Sequence, residues 1–212
     1  MNRKIIIALL LIVIIGTSVW LFYSDQGPKV NLNLYQTLGS VTADETAKLL
    51  GDKGEVVVVG WDSGSTKVAV DEAKIDSFEH ALKKHKGMQF AGRERVVRNP
   101  AQMMATGGAM PPDQLLKVVK AHPQAGAIVL FLAFPNLSSQ DAAALSQGKT
   151  KFIVVSGCNP GYKKLLLDRV ITLAIIPQFD RSENTQTPKT TRENFDQNFL
   201  VVGYDQAANL PY

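Results

Sequence analysis

Four consecutive valines, Val56–Val59, break at once into Gly60, Trp61, Asp62, Ser63, Gly64, Ser65 and Thr66. A ring, a carboxylate and small hydroxyls at the end of a buried strand can hold a small polar ligand. The ring stacks, while the carboxylate accepts hydrogen bonds. Three more apolar runs end in similar chemistry. "IVLFLA" leads into Phe134, Pro135 and Asn136; "FIVVS" precedes Gly157, Cys158, Asn159 and Pro160; "VITLAII" precedes Pro177, Gln178 and Phe179. The same residue types also build ordinary strand-to-helix turns, because they cap helices and tolerate unusual backbone angles. Asp62 and Asn159 therefore serve equally as helix caps, and Trp61 as a core residue covering the end of a sheet.

Catalytic chemistry finds little support. Gly60 and Gly64 lack the third glycine and the downstream acid of a dinucleotide fingerprint, and no Gly-Lys-Ser/Thr phosphate loop is present. His80, His85 and His122 fall on predicted helices or their ends, and the five-residue step from His80 to His85 does not put two ligands on one helical face. Cys158 has no histidine near it in sequence and reads as a small apolar filler. A single cysteine also excludes an internal disulfide and any cysteine-cluster metal site. Asp62 lacks the adjacent acidic pair of a phospho-accepting domain. The sequence implies no enzyme, no cofactor and no metal.

The elements that must position these strand ends follow a regular alternation. Thr42 with Glu45 forms a capping box that opens a helix ending at Gly51. Predicted strands are Glu55–Gly60, Met88–Val97, Ala127–Phe134, Lys151–Val155 and Val170–Ile176. Predicted helices are Lys67–Lys86, Pro112–His122, the stretch capped by Ser138 and Asp141, and Tyr162–Leu167. This is the pattern of βαβ units joined by right-handed crossovers. It predicts an α/β, doubly wound, mostly parallel sheet in the flavodoxin-like order 2-1-3-4-5, whose ligands sit beyond the carboxyl ends of the strands. Asp180–Asn194 reads as a polar loop and Phe195–Tyr204 as a terminal strand.

The chain begins differently. Arg3 and Lys4 precede Ile5–Tyr23, an uncharged apolar run of 19 residues. As a helix it is roughly 28 Å long, about a bilayer's hydrocarbon thickness. With the positive charge ahead of it, the rest of the chain is expected outside the cell membrane as a single-pass protein. A cleaved signal peptide, with Gly16-Thr17-Ser18 as cleavage site, is the alternative. The expected organisation is 1–24 anchor or signal peptide, 25–41 linker, 42–180 α/β lobe, and 181–212 polar loop and terminal strand. A net charge of +4 is spread along 212 residues without a Lys/Arg–aromatic cluster, which argues against nucleic acid as a partner.

The order "LLGDKGEVVVVGWDSGS", "KIDSF", "LLKVVKAHPQAGAIVLFLAFPN", "FIVVSGCN", "VITLAIIPQFD" resembles the C-terminal lobe of type I periplasmic binding proteins of the sugar-binding kind. The resemblance covers about residues 42–180. It places Lys74-Ile75-Asp76-Ser77-Phe78 where the family has Arg-x-x-Gly-Phe, Pro135-Asn136 at its Asn-Asp pair, and Cys158-Asn159 at its Phe-Asp pair. A lysine thus replaces a bidentate arginine, and an uncharged amide replaces an aspartate. It implies a sugar-like ligand held by Trp61, Asp62, Lys74, Phe134, Asn136, Cys158, Asn159 and Gln178. The family closes two lobes on its ligand, and this chain has the length of one lobe. A second lobe, a homodimer or a membrane transporter is therefore an expected partner. Two functions follow: an anchored extracytoplasmic solute-binding lobe, or an anchored interaction module on the same fold.

Overall fold

The computed structural model describes residues 13, 15–18, 31–62, 68–155, 161–178 and 187–210. The chain divides into two compact units, Met1–Asn31 and Leu32–Tyr212. Among the described residues no helix is long and apolar enough to cross a membrane. Of the expected anchor only residues 13 and 15–18 are described, and these are helical; the rest lies outside the described residues.

The second unit is a single six-stranded sheet with helices on both faces. Its elements run α1 (Asn33–Leu50), β1 (Lys53–Asp62), α2 (Ala69–Leu82), β2 (Gly87–Val97), α3 (Pro100–Ala105), α4 (Pro112–Ala121), β3 (Ala125–Leu130), α5 (Ser139–Ser146), β4 (Lys151–Val155), α6 (Gly161–Leu167), β5 (Leu173–Pro177), α7 (Thr191–Asp196), β6 (Phe199–Gly203) and α8 (Tyr204–Ala207). Strand order is β2-β1-β3-β4-β5-β6. The first five strands are parallel and β6 returns antiparallel to β5. The expected 2-1-3-4-5 order is the one observed, with β6 added at the far edge.

The valine run explains why β1 is central. Val56–Val59 are each 0% exposed. Side chains alternate across a strand, so Val57 and Val59 enter the core under α4, α5, α6 and α8, while Val56 and Val58 enter the core under α1, α2 and α7. A strand covered on both faces has no polar side, hence the unbroken apolar sequence.

Strand β2, at the other edge, is polar for a definite reason. Val56 pairs with Phe90 but Val57 pairs with Gly92, so Ala91 is an extra residue in a bulge, and Gly92 takes φ +155°. Ahead of the bulge Met88 and Phe90 pack on the α2 side. Beyond it the alternation is reversed, and Arg93 and Arg95 face α2. Arg93 donates to Glu79 Oε2 at 2.6 Å and Asp76 Oδ1 at 2.7 Å, and Arg95 to Glu72 Oε1 at 3.0 Å. Glu94 points the other way, onto His122 at the end of α4, 2.7 Å distant. Hydrogen bonds from Lys83 and then Arg93 hold the Glu79 carboxyl below its ordinary pKa.

Several boundaries differ from expectation. Helix α1 starts at Asn33, so residues 33–41, expected as linker, are helical and Thr42 lies inside the helix. Thr42 is 0% exposed and its hydroxyl donates to Leu38 O at 2.6 Å instead of capping. Packing explains the early start, because Gly39 lets α1 cross α2 in contact: a methyl there would stand 2.0 Å from Lys74 O. Strand β3 ends at Leu130; Phe131 N still donates to Val59 O at 2.9 Å, and beyond it the chain leaves the sheet, with Ala133 bridging to Ala109 in the loop before α4. Within the expected C-terminal loop and strand, a capping box of Thr190 and Glu193 starts α7, and β6 does not begin until Phe199. Helix α3, capped by the Asn99 side chain, is an additional element between β2 and α4.

Candidate functional site

The chain leaves β1 toward β2 on one side, and β3 lies on the other side. The carboxyl ends of β1 and β3 therefore flank the switch point of the sheet, where open α/β folds form their binding crevice. Trp61 and Asp62 are the last two residues of β1. By alternation Trp61 follows Val57 and Val59 and packs on the core under α4, α5 and α6, half-buried. Asp62 takes the opposite side and is also half-buried.

The face of Trp61 is covered by a residue absent from the candidate set. The Arg98 guanidinium, just past the end of β2, stands 5.8 Å from the indole centroid. Its Nη2 donates to Asp71 Oδ2 at 3.1 Å, and the other oxygen of Asp71 pairs with Lys74 Nζ at 2.8 Å. Trp61 and Lys74, far apart in sequence, thus belong to one chain of contacts through Asp71 and Arg98. Lys74 enters that chain from the flank, since its backbone carbonyl forms the α1 crossing and its side chain is only 15% exposed. Arg98 had a findable signal. Glu72, Asp76 and Glu79 form a stripe at i, i+4 and i+7 of α2, with Asp71 beside it, opposite a strand carrying Arg93, Arg95 and then Arg98.

The remaining candidates lie elsewhere. Phe134 is 1% exposed and meets Phe152 edge-on, with centroids 5.9 Å apart. It forms the wall of a groove of about 530 Å³ between α5 and α6, with exposed Asn136 at its rim and Lys164 and Asp168 on the opposite bank. Gln178 is three strand spacings from β1 along the sheet, roughly 14 Å. Its backbone N–H donates to Asn198 O at 2.8 Å, and it lines a second groove with Glu45, Lys48, Arg192 and Asp196. Cys158 and Asn159 lie outside the described residues. Of the eight candidates, the six described fall into three places: the β1 end, the α5–α6 groove and the β5–β6 edge.

The same end of the sheet also exposes apolar side chains. Val97, opposite Asp62 in the ladder, is 69% exposed, and Met104 on α3 is 86% exposed. No cluster of three or more metal-ligating side chains occurs among the described residues.

No protein-family model and no curated protein matches the chain. Solved structures do. An arabinose-binding protein from Geobacillus stearothermophilus is 15% identical, with a TM-score of 0.58 over 84% of this chain and 63% of that one. A periplasmic solute-binding protein of an ABC transporter from Actinobacillus succinogenes, with bound D-allose, is 16% identical, with a TM-score of 0.56 over 83% of this chain and 62% of that one. A sugar-binding protein of a sugar ABC transporter from Bacillus halodurans is 15% identical, with a TM-score of 0.57 over 82% of this chain and 63% of that one. The chain therefore spans less than two thirds of the length of these neighbours. The neighbours are sugar-binding solute-binding proteins, and the α/β unit has the fold of a periplasmic-binding-protein lobe.

Proposed function

We propose that this chain is a membrane-anchored, extracytoplasmic lobe that binds a sugar-like ligand at the carboxyl ends of its strands and carries no catalytic activity. The observation that supports it best is the position of Trp61 and Asp62 at the β1–β3 switch point, where this fold places ligands. In this reading Trp61 stacks on a pyranose or furanose face and Asp62 accepts hydroxyl hydrogen bonds; Asn136, at the rim of the α5–α6 groove, and Asn159 are further hydrogen-bonding candidates. Lys74 acts through Asp71 and Phe134 supports the loop that carries Asn136, while Gln178 lies too far along the sheet to touch the same ligand.

Anchoring is supported by the 19-residue apolar run Ile5–Tyr23 behind Arg3 and Lys4. Retention of the chain in membranes after alkaline carbonate extraction, with the lobe open to protease from outside, is the expected behaviour. Release into the soluble fraction would replace the anchor with a cleaved signal peptide.

A thermal-shift panel of pentoses and hexoses on the full chain tests binding. A sugar at 100 times its dissociation constant adds about 2.7 kcal/mol of stability, and Trp61→Ala should abolish that gain. A second reading rests on the exposure of Val97 and Met104 beside the same crevice. There the edge seats a partner, such as a second lobe, another copy of the chain or a membrane transporter. A folded protein silent to every sugar, yet dimeric by light scattering, would favour this reading over the first.

A further inference from the structure

The sugar-binding reading requires an open indole face at Trp61. Trp61 packs against the core, and the guanidinium of Arg98 lies over the ring at 5.8 Å. This is within the range at which a cation is held by an aromatic quadrupole. We propose that Arg98 is a displaceable lid on Trp61: it occupies the surface on which a ligand would stack, Asp71 holds it there, and ligand binding exchanges one contact for the other. The proposal rests on the reading that a ligand stacks on Trp61.

Three observations carry it. First, Arg98 is weakly tethered compared with its neighbours on β2. Arg93 meets three carboxylates, Glu72, Asp76 and Glu79, whereas Arg98 has one hydrogen bond among the described residues, to Asp71. Second, the Arg98 side chain is 40% exposed, so moving it aside returns a charged group to water at little cost. Third, Asp71 is already bound to Lys74 at 2.8 Å. When Arg98 leaves, Asp71 keeps a cation, so opening the lid strands no buried charge. The arrangement makes Arg98 a selector. A ligand must offer a flat, polarisable face that competes with a guanidinium, which a sugar's C–H face does and a linear polyol does not.

The test uses the full chain with Trp20→Phe, which leaves Trp61 as the sole indole of the two in the sequence. Acrylamide quenching reads access to its face. Arg98→Ala should raise the quenching constant at least twofold, with Asp71→Asn in between. In the parent, 1 M NaCl should raise quenching, because the Debye length falls to about 3 Å; in Arg98→Ala it should not. Arg98→Gln replaces Arg98→Ala if the latter fails to fold. Equal quenching in parent and variant overturns the lid. L-arabinose is then titrated as a probe. Binding at least threefold tighter in the Arg98 variant supports the exchange, whereas weaker binding makes Arg98 a direct ligand contact and overturns it. If the sugar binds neither protein while quenching still differs, the lid stands and the sugar reading fails.

Discussion

Replacing Gly39 by alanine should destabilise this protein, against the usual effect of that change in a helix. In a helix interior, glycine to alanine normally contributes about 1 kcal/mol of stability. At Gly39 the new methyl would stand 2.0 Å from Lys74 O and 2.2 Å from Ser77 Oγ, where ordinary contact begins near 3.4 Å. The larger shortfall, 3.4 less 2.0, is about 1.4 Å, and it falls on backbone that cannot rotate away. Helices α1 and α2 must separate, which loosens Val41, Ala43, Ile75 and Phe78 in the core beneath them. Overpacking of this kind costs typically 1–3 kcal/mol and occasionally more. With the largest such cost set against the propensity gain, the expected net loss is about 2 kcal/mol. In a unit this size that lowers Tm by roughly 4–8 °C. Urea denaturation and calorimetry of the full chain read it directly. Gly126→Ala, whose methyl meets nothing closer than 3.5 Å, is the control and should be near neutral. A Gly39→Ala protein as stable as its parent, or more so, would refute the close crossing of α1 and α2.

Three other outcomes are expected. His85 bridges two separate segments, with Nδ1 2.8 Å from Asp52 Oδ1 and Nε2 3.0 Å from Asp44 Oδ1, and the hydrogen bond with Asp44, opposed by burial and helped by Asp52, raises its pKa above 6.5. The clip is therefore complete below pH 6.5 and lost as pH rises through the folded-state value. His85→Gln should cost about 0.5–1 kcal/mol at pH 5.5 and close to nothing at pH 9, and a pH-independent difference in urea midpoints would contradict the clip. Phe134→Ala should cost about 3–5 kcal/mol, because the ring is 1% exposed against Phe152; a loss below 1 kcal/mol would show that the loop carrying Asn136 is not anchored by it. Arg93→Ala should cost about 1–2 kcal/mol, less in 1 M salt, and a salt-insensitive loss would point to packing of its stem in place of the ion pairs.

The sheet was legible in the sequence because its central strands have no polar face. Val56–Val59, Phe152–Val155 and Leu173–Ile176 are buried on both sides, so each appears as a short apolar run between turns, and the order matches the flavodoxin-like arrangement that such alternation commonly adopts. The termini of the unit were not legible. Leu34, Leu38 and Val41 are at helical spacing, but no capping side chain opens the stretch and Gly39 and Ser40 interrupt it. Residues 33–41 are held by contact with α2 through Gly39, and nothing local to the sequence records that contact. Thr42 followed by Glu45 is a sound capping signal, yet the tertiary packing upstream overrode it. At the site, turn chemistry and ligand chemistry use the same residues, so Trp61 and Asp62 could be placed at a strand end without their neighbours being known. The acidic stripe of α2 pointed to Arg98 as an ion-pair partner, but its place over Trp61 depends on where β2 ends relative to β1, which the bulge at Ala91 sets.

The bulge at Ala91 works as a parity switch between two charge codes. Ahead of it, even-numbered residues of β2 face α2; behind it, odd-numbered ones do. Smoothing out the bulge without changing the sequence, so that Ala91 paired with Val57, would alter no charge, yet it would turn the far half of the strand over. Glu94 would then be presented to Glu72, Asp76 and Glu79, and the two arginines would be turned away from the acids they now neutralise. A single inserted residue thus serves as a proofreading mark. Only one alignment of the edge strand sets its arginines against the acids of α2, and a chain that pairs one step out of phase meets repulsion there.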